Sequence, residues 1–554
     1  MRWSWEKSRT PCRRSKPGGK HIGELEADRS SLILRSQETH AAHRVGAKLA
    51  FACVILLAAL ATGCGSAARS SESGTVNFLI ESAPMNLDPR IGTDAQSEAL
   101  DGLLFDSLLA RDAHMNIIPD LAESWETPNP LTYVFHLRRG VKFHDGRPLT
   151  AADVKFTFDS ILSGAVQSPK RGSYLVVKSV EAPDDATVVF HLREPYSSLL
   201  WNLTSPGIGI VPKGSGAEIA RHPIGTGPFR FVSMTRDEDV VLERSPDYFG
   251  GAPKIKRVRF RIVPEAIVRA LELRKGTADI GGVNSLTPDM VLALRKLPAI
   301  AVEEQPGTVL TYIAFNFDDP ILAHRKVRQA LAYATDRETL IRYLLRGQAR
   351  PAASLLPPNH WAYEPNVKQY PYDPAQAKRL LDAAGFPAGA DGVRFHLTLK
   401  TSTEESARLL GEALADEWKR VGVVLELRPL ETATFLSDVG RGSFQLYTLR
   451  WIGANNDPDM FSYVFSSKRM PPLGANRGHY RNPVLDALID RQRVEMDREK
   501  RKALLSRIQK IVAEDEPYIN LWYIDNVCVH RARVTGIVIS PSGDYDFLKT
   551  ADVR

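Results

Sequence analysis

Cysteine is scarce in this sequence: 4 in 554 residues, at Cys12, Cys53, Cys64 and Cys528. So few thiols exclude both a disulfide framework and a cysteine-rich zinc site. Aromatic residues make up only 8%, and the apolar run at residues 49–61 is 13 long. A membrane-spanning helix needs about 17–25 such residues, so a polytopic membrane protein is excluded. Catalytic signatures are missing too. None of the 13 histidines opens a His-Glu-x-x-His motif, and no Gly-x-Ser-x-Gly elbow occurs. Positive charge is absent where a polyanion would need it. Of the net +7, residues 1–63 supply most, with 11 Lys/Arg against 5 Asp/Glu, leaving the remainder almost balanced at 61 against 60. Nucleic-acid binding is therefore not expected.

What is present is ordinary globular composition, 43% hydrophobic and 25% charged, in a chain long enough for about three domains. Arg44 and Lys48 precede the apolar run, and Leu60-Ala61-Thr62-Gly63-Cys64 follows its core. A run of about 7–15 apolar residues behind a basic segment is a secretory signal. Small residues before the cysteine resemble a bacterial lipobox, with Ala61 where leucine is usual. Cys64 is therefore expected to carry lipid, residues 44–63 to be the signal peptide, and the polar prefix 1–43 to take no part in it. Residues 65–74 are small and polar, a tether reaching about 18 Å. Cys528, in Val527-Cys528-Val529, is expected as a small buried hydrophobe.

Beyond Thr75 the pattern alternates strands with helices, which predicts an α/β fold. Strands are expected at residues 76–80, 131–137, 229–232, 278–280 and 312–316. Helices are expected from a Thr150 cap to Leu162, from Pro264 to Lys275 with Gly276 as the stop, and over 324–334, 336–345, 374–384 and 404–421. Gly225-Thr226-Gly227 superficially resembles a phosphate loop, but Pro228 and a strand follow it rather than a helix. Asp457 and Asp459 admit two readings, an Asp-Pro-Asp turn or a carboxylate pair for hydrolysis.

Several blocks then carry a resemblance. Leu121-Ala122-Glu123-Ser124-Trp125-Glu126, Gly140-Val141-Lys142-Phe143-His144-Asp145-Gly146 and Leu149-Thr150-Ala151-Ala152-Asp153-Val154 lead the set. Gly225 to Phe229, Leu242 to Tyr248, Val327 to Leu331, Tyr372-Asp373-Pro374, Trp451 to Asp459 and Asn476 to Pro483 follow in order. Together they resemble the family 5 extracytoplasmic solute-binding proteins of ABC importers, the dipeptide-, oligopeptide- and nickel-binding components. The resemblance implies a two-lobed periplasmic-binding-protein-like (Venus-flytrap) fold with an extra subdomain inserted in the first lobe. Lobe I would comprise residues 75–104, 222–306 and 518–554, the insertion 105–221, and lobe II 307–517, with breaks at Pro306-Gly307 and near Pro517. It implies a monomeric, lipid-anchored receptor without catalysis or cofactor, closing on a peptide or similar small solute and delivering it to a permease with its ATPase subunits. A metal chelate, opine or sugar, or an exported carboxylate-dependent hydrolase, are the alternatives. Candidate ligand-binding residues are Asn86, Tyr312, Asn316, Trp451, Ala454, Asn455 and Asp457. Trp125 is expected in a core, while Trp451 suits either a core or a cleft wall. In peptide-binding relatives an aspartate that grips the ligand's ammonium stands where this sequence has Ala454. Weak recognition of a free α-amine follows as an expectation.

Overall fold

Two long strands organise the protein: an outgoing strand, Ile300–Phe315, and a returning strand, Tyr518–Arg531. Both are rich in β-branched and aromatic residues, which suit a pleated surface buried on both sides. The computed structural model describes residues 74–112, 114–204, 208–452 and 457–554, so Cys64, Ala454 and Asn455 lie outside the described residues.

The two strands pair antiparallel along almost their whole length, from Ile300 opposite Arg531 to Ala314 opposite Tyr518. The ladder shifts register at two places: Leu521 is the extra residue between the pairs Thr311–Trp522 and Tyr312–Asn520, and the wider break lies at Pro306-Gly307-Thr308. Gln305 faces Asn526 and Val309 faces Ile524, so Pro306, Gly307 and Thr308 stand opposite Asp525 alone. Proline cannot donate to a ladder, and the extra residues form a bulge. Sequence patterning expects a break here and a strand only from Tyr312. The structure instead carries one strand through the bulge. Asn526 fixes the far side, its amide donating to the Ser540 and Pro541 carbonyls at 3.0 and 2.9 Å.

On either side of this pair the sheet grows by different strands. Beyond Leu310–Phe315 lie Leu446–Trp451, then Phe395–Ser402 and Val423–Leu430, the outer two pairs parallel. Beyond the other end lie Ile280–Gly281, Thr75–Ile80 and Arg257–Ile262, then an antiparallel edge of Asp239–Arg244 and Phe229–Thr235. Ala349–Pro351 pairs with Trp522 to Ile524 of the returning strand. Helices cover the faces, as an α/β sheet requires. The residues 518–524 thus pair on the side of Leu446–Trp451, and residues 526–531 on the side of Thr75–Ile80.

A separate four-stranded antiparallel sheet, in the order Ala122–Asn129, Thr132–Leu137, Thr187–Leu192, Val177–Glu181, has its own core between residues 108 and 210. In Thr132–Leu137 the alternation is as expected, with Tyr133, Phe135 and Leu137 buried. Trp125 departs from expectation. It is half-buried, packing on the edge of that core rather than within it, because Ala122–Asn129 is an edge strand with most of its residues exposed. The helix Ala151–Leu162 starts at Thr150, whose N–H and hydroxyl both donate to Asp153, at 2.8 and 2.9 Å. Thr150 and Asp153 thereby form the expected capping box. Cys528 is fully buried, and burial pushes its thiol up.

A side chain at Gly307 would place its Cβ 2.2 Å from the Ile524 carbonyl oxygen. Gly307→Ala is therefore expected to lower stability by about 1–3 kcal/mol, measured by urea unfolding. Gly440→Ala, where no atom lies within 4 Å of the added Cβ, is the control and should not destabilise. Equal effects of the two would contradict the close approach at the bulge.

Candidate functional site

Strand register builds an aromatic cluster from residues distant in sequence. Leu310 pairs with Trp451, Tyr312 with Leu449 and Ala314 with Tyr447, so Tyr312, Tyr447 and Trp451 share one face of the sheet. Tyr518, opposite Ala314, joins them from the returning strand. The Tyr312 ring stacks on Tyr518 at 4.3 Å and 16°, and on Trp451 at 5.7 Å and 8°, with Tyr447 edge-on at 6.0 Å. Such pairs contribute about 0.5–1.5 kcal/mol each beyond burial. Burial holds the Tyr312 and Tyr518 phenols well above their ordinary titration range, so they remain protonated donors.

Trp451 is the outer member. Ile452 beyond it is 71% exposed, and Tyr463 stands edge-on to the indole at 6.3 Å and is itself 45% exposed. The Arg477 guanidinium lies over the same indole, 5.3 Å from the ring centre. Trp451 itself is 8% exposed and belongs to a core cluster, with these solvent-facing groups at its rim.

Asp457 and Asp459 form a second, partly buried polar network. Asp457 Oδ1 accepts from the Asp459 N–H at 2.7 Å and from the Ser198 hydroxyl at 3.0 Å, with Arg501 at 3.7 Å. Asp459 accepts from Arg493 at 3.0 Å, Gln492 at 3.2 Å and Tyr196 at 3.3 Å. The Asp-Pro-Asp turn is therefore present, and its carboxylates tie residues 196–198 to the helices Pro483–Val494 and Arg498–Asp515. Both acids are engaged by arginines. Burial raises the Asp457 carboxyl to about 6, with Arg501 opposing that rise and Asp459 adding to it.

The other two described candidates lie elsewhere. Asn316 donates to the Phe444 and Gly442 carbonyls at 2.8 and 3.2 Å and accepts from the Asp318 N–H at 3.0 Å. It sits roughly 20 Å along the strand from Leu310, the partner of Trp451. Asn86 accepts from the Asp88 N–H at 2.8 Å, shaping the loop in which Asp88 clamps the buried Arg90 at 2.9 and 2.8 Å. The structure brings Tyr312 and Trp451 together and does not bring Asn86 or Asn316 to them. Sequence reasoning missed Tyr447, Tyr518 and Arg477. The alternation of Tyr447 and Trp451 was the available signal, whereas an isolated arginine in a loop offers none. Gly225 and Gly227 prove to be packing positions, where a Cβ would meet the Leu104 carbonyl at 2.0 and 2.8 Å.

The chain belongs to the bacterial extracellular solute-binding proteins, family 5, whose middle-region model matches residues 116–470. The dipeptide-binding protein of Escherichia coli is 29% identical over 514 residues, 87% of this chain and 95% of that protein. Heme-binding protein A of Haemophilus influenzae is 30% identical over 511 residues, 86% of this chain and 92% of that one. The structure of HbpA2 from Haemophilus parasuis matches with a TM-score of 0.77 at 28% identity, covering 87% of this chain and all of that one. The family is one of solute-binding proteins rather than enzymes, and the two-lobed α/β expectation agrees with these likenesses. Among the described residues no helix is long and apolar enough to cross a membrane.

A carboxyl raised by burial holds its proton in the folded state while the unfolded chain has lost it. Between about pH 4 and 6 stability from such a group falls as pH rises. Asp457→Asn should remove that slope, so the mutant gains relative to the wild type between pH 4.5 and 7, by at most about 2–3 kcal/mol. Urea unfolding of both proteins at the two pH values checks it. An unchanged difference would contradict the raised carboxyl.

Proposed function

We propose that this protein captures short peptides or peptide-like solutes outside the cytoplasm and presents them to the permease and ATPase subunits of an ABC importer. The observation that carries the reading is the likeness to the Escherichia coli dipeptide-binding protein, which runs through nearly the whole of both chains. A second reading, a non-peptide solute, has its own support in the equally extensive likeness to heme-binding protein A.

The ligand site we assign lies beside Trp451, with Tyr312 beneath it and the segment Ala454, Asn455 and Asp457 following it in sequence. Lobe division is proposed at the bulge, near Pro306-Gly307 on the way out as expected, but at Asp525 on the return rather than near Pro517, because residues 518–524 still pair with 309–314 and 349–351. Capture then works by closure of the lobes about this crossing. To move an open-closed balance from 1:99 to 99:1 the ligand must favour the closed form by about 5.5 kcal/mol. Cys64 is proposed as the lipidated N-terminus, holding a monomeric receptor at the membrane through the polar tether.

Ala454 supplies a methyl group where an ammonium would need a carboxylate. A hydrogen bond to a charged group contributes about 1.5–3 kcal/mol, so its loss weakens free-amine recognition roughly 10- to 100-fold. Mass spectrometry of solute released from purified protein by denaturation identifies the natural ligand, and peptides among it would support the reading. By calorimetry, the wild type is expected to bind trialanine and N-acetyl-trialanine with similar affinity, and Ala454→Asp to favour the free amine. A wild type that already strongly prefers the free amine would contradict the role given to Ala454.

A further inference from the structure

The inserted subdomain is attached to the rest of the protein in two different ways. Toward residues 75–104 and 222–306 the chain itself crosses twice, and bonds to backbone support the crossings. The His144 ring donates from Nε2 to the Gly227 carbonyl at 3.0 Å and accepts at Nδ1 from the Gly225 N–H at 3.2 Å. The His144 N–H donates to the Gly225 carbonyl at 2.8 Å. Lys170 donates to the Pro89 carbonyl at 2.7 Å, and Arg90 to the Ser160 hydroxyl at 3.2 Å. The subdomain therefore moves with that half.

Toward lobe II the attachment is a polar clasp. Residues 196–198 enter between the Asp457-Pro458-Asp459 turn and the helices Pro483–Val494 and Arg498–Asp515. The Ser198 hydroxyl, almost fully buried, donates to Asp457 at 3.0 Å and accepts from Arg501 at 3.1 Å. The Tyr196 hydroxyl donates to Asp459 at 3.3 Å, and the Arg493 guanidinium lies over its ring, 5.5 Å from the centre. Among the described residues one backbone pair crosses, the Ser197 N–H donating to the Arg493 carbonyl at 2.9 Å.

If lobe II swings away about Pro306-Gly307, the first attachment stays whole and the second must part. Its composition suits a contact that opens. Carboxylates, guanidiniums and hydroxyls regain water when separated, whereas an apolar surface would be left exposed. Arg501 also donates from Nε to the Gln492 side chain at 3.1 Å, which aims its fork at the place the Ser198 hydroxyl takes. A carboxylate and arginine set left half-made is costly, so the clasp is favoured either complete or fully hydrated.

We propose that this clasp, from Tyr196 and Ser198 to Asp457, Asp459, Arg493 and Arg501, is a latch that holds the lobes mostly closed before any solute arrives. The proposal rests on the lobe division given above. All of its bonds come from this chain's own residues, so the latch favours the closed form with or without solute. Tyr196 and Ser198 then tune affinity from outside the ligand site, because a solute that binds the closed form gains whatever the latch has already contributed to closure.

Amide hydrogen exchange on the solute-free protein tests the latch. In the wild type the Ser197 N–H, whose acceptor lies across the clasp, should exchange at least roughly 10-fold more slowly than an unstructured amide. The double variant Tyr196→Phe, Ser198→Ala removes hydroxyl bonds to two carboxylates, and that protection should fall roughly 10-fold or more. Amides of Thr132–Leu137, the inner strand of the inserted sheet, should stay within about twofold. Scattering should give the solute-free variant a larger radius of gyration than the solute-free wild type, and trialanine should leave the variant faster. The wild-type exchange measurement stands even if the variant folds poorly. An unprotected Ser197 amide in the wild type, a variant in which either the protection or the radius is unchanged, or an equal loss at Ser197 and throughout Thr132–Leu137 would each overturn the proposal. If trialanine binds neither protein, the peptide reading suffers, and exchange without solute still decides the latch.

Discussion

The ladder between Ile300–Phe315 and Tyr518–Arg531 is the constraint on which the remaining structure depends. One end of it carries the strands Leu446–Trp451, Phe395–Ser402 and Val423–Leu430; the other carries Thr75–Ile80 and Arg257–Ile262. Each end is covered by its own hydrophobic clusters. The wider of its two irregularities, at Pro306 to Thr308, falls between those two sets of partners. A continuous ladder there would bond the two halves as one stiff sheet, whereas the bulge removes ladder bonds at the place where the halves meet. Asn526 supports that place through side-chain bonds to Ser540 and Pro541 rather than through further strand pairing.

The same ladder positions the aromatic cluster. Tyr312 and Tyr518 belong to its two strands, and Trp451 and Tyr447 to the strand added beside it, so ring geometry follows directly from register. A slip of one residue would turn all four to the opposite face. The network of Asp457 and Asp459 acts differently. It joins the inserted four-stranded subdomain to the helical hairpin Pro483–Val494 and Arg498–Asp515 through Ser198, Tyr196, Arg493 and Arg501. A buried carboxylate with an arginine partner is costly to leave half-made, which favours one arrangement of these elements over its alternatives.

Much of the fold is legible in the sequence because its signals are local. The Thr150 and Asp153 cap, the Gly276 stop and the alternation of Thr132–Leu137 each depend on a few neighbouring residues, and each appears at the expected place. The long outgoing strand was not legible, because proline followed by glycine is a break by every local rule and only the pairing partner carries the strand through it. The site divides along the same line. Trp451 and Tyr312 stand out as aromatics in apolar strands, and the structure stacks them. Asn86 and Asn316 are the residue type a ligand would use, yet nearby backbone groups take their side chains first. Arg477 meets Trp451 only through tertiary packing, so no window of sequence contains the contact.

Closure of two lobes about the bulged crossing is the central claim, and solution X-ray scattering tests it most directly. Protein freed of solute is compared with the same protein saturated by the solute recovered from it. Hinged capture predicts a smaller radius of gyration in the saturated protein. A solute that saturates the protein and leaves the radius of gyration unchanged would contradict it.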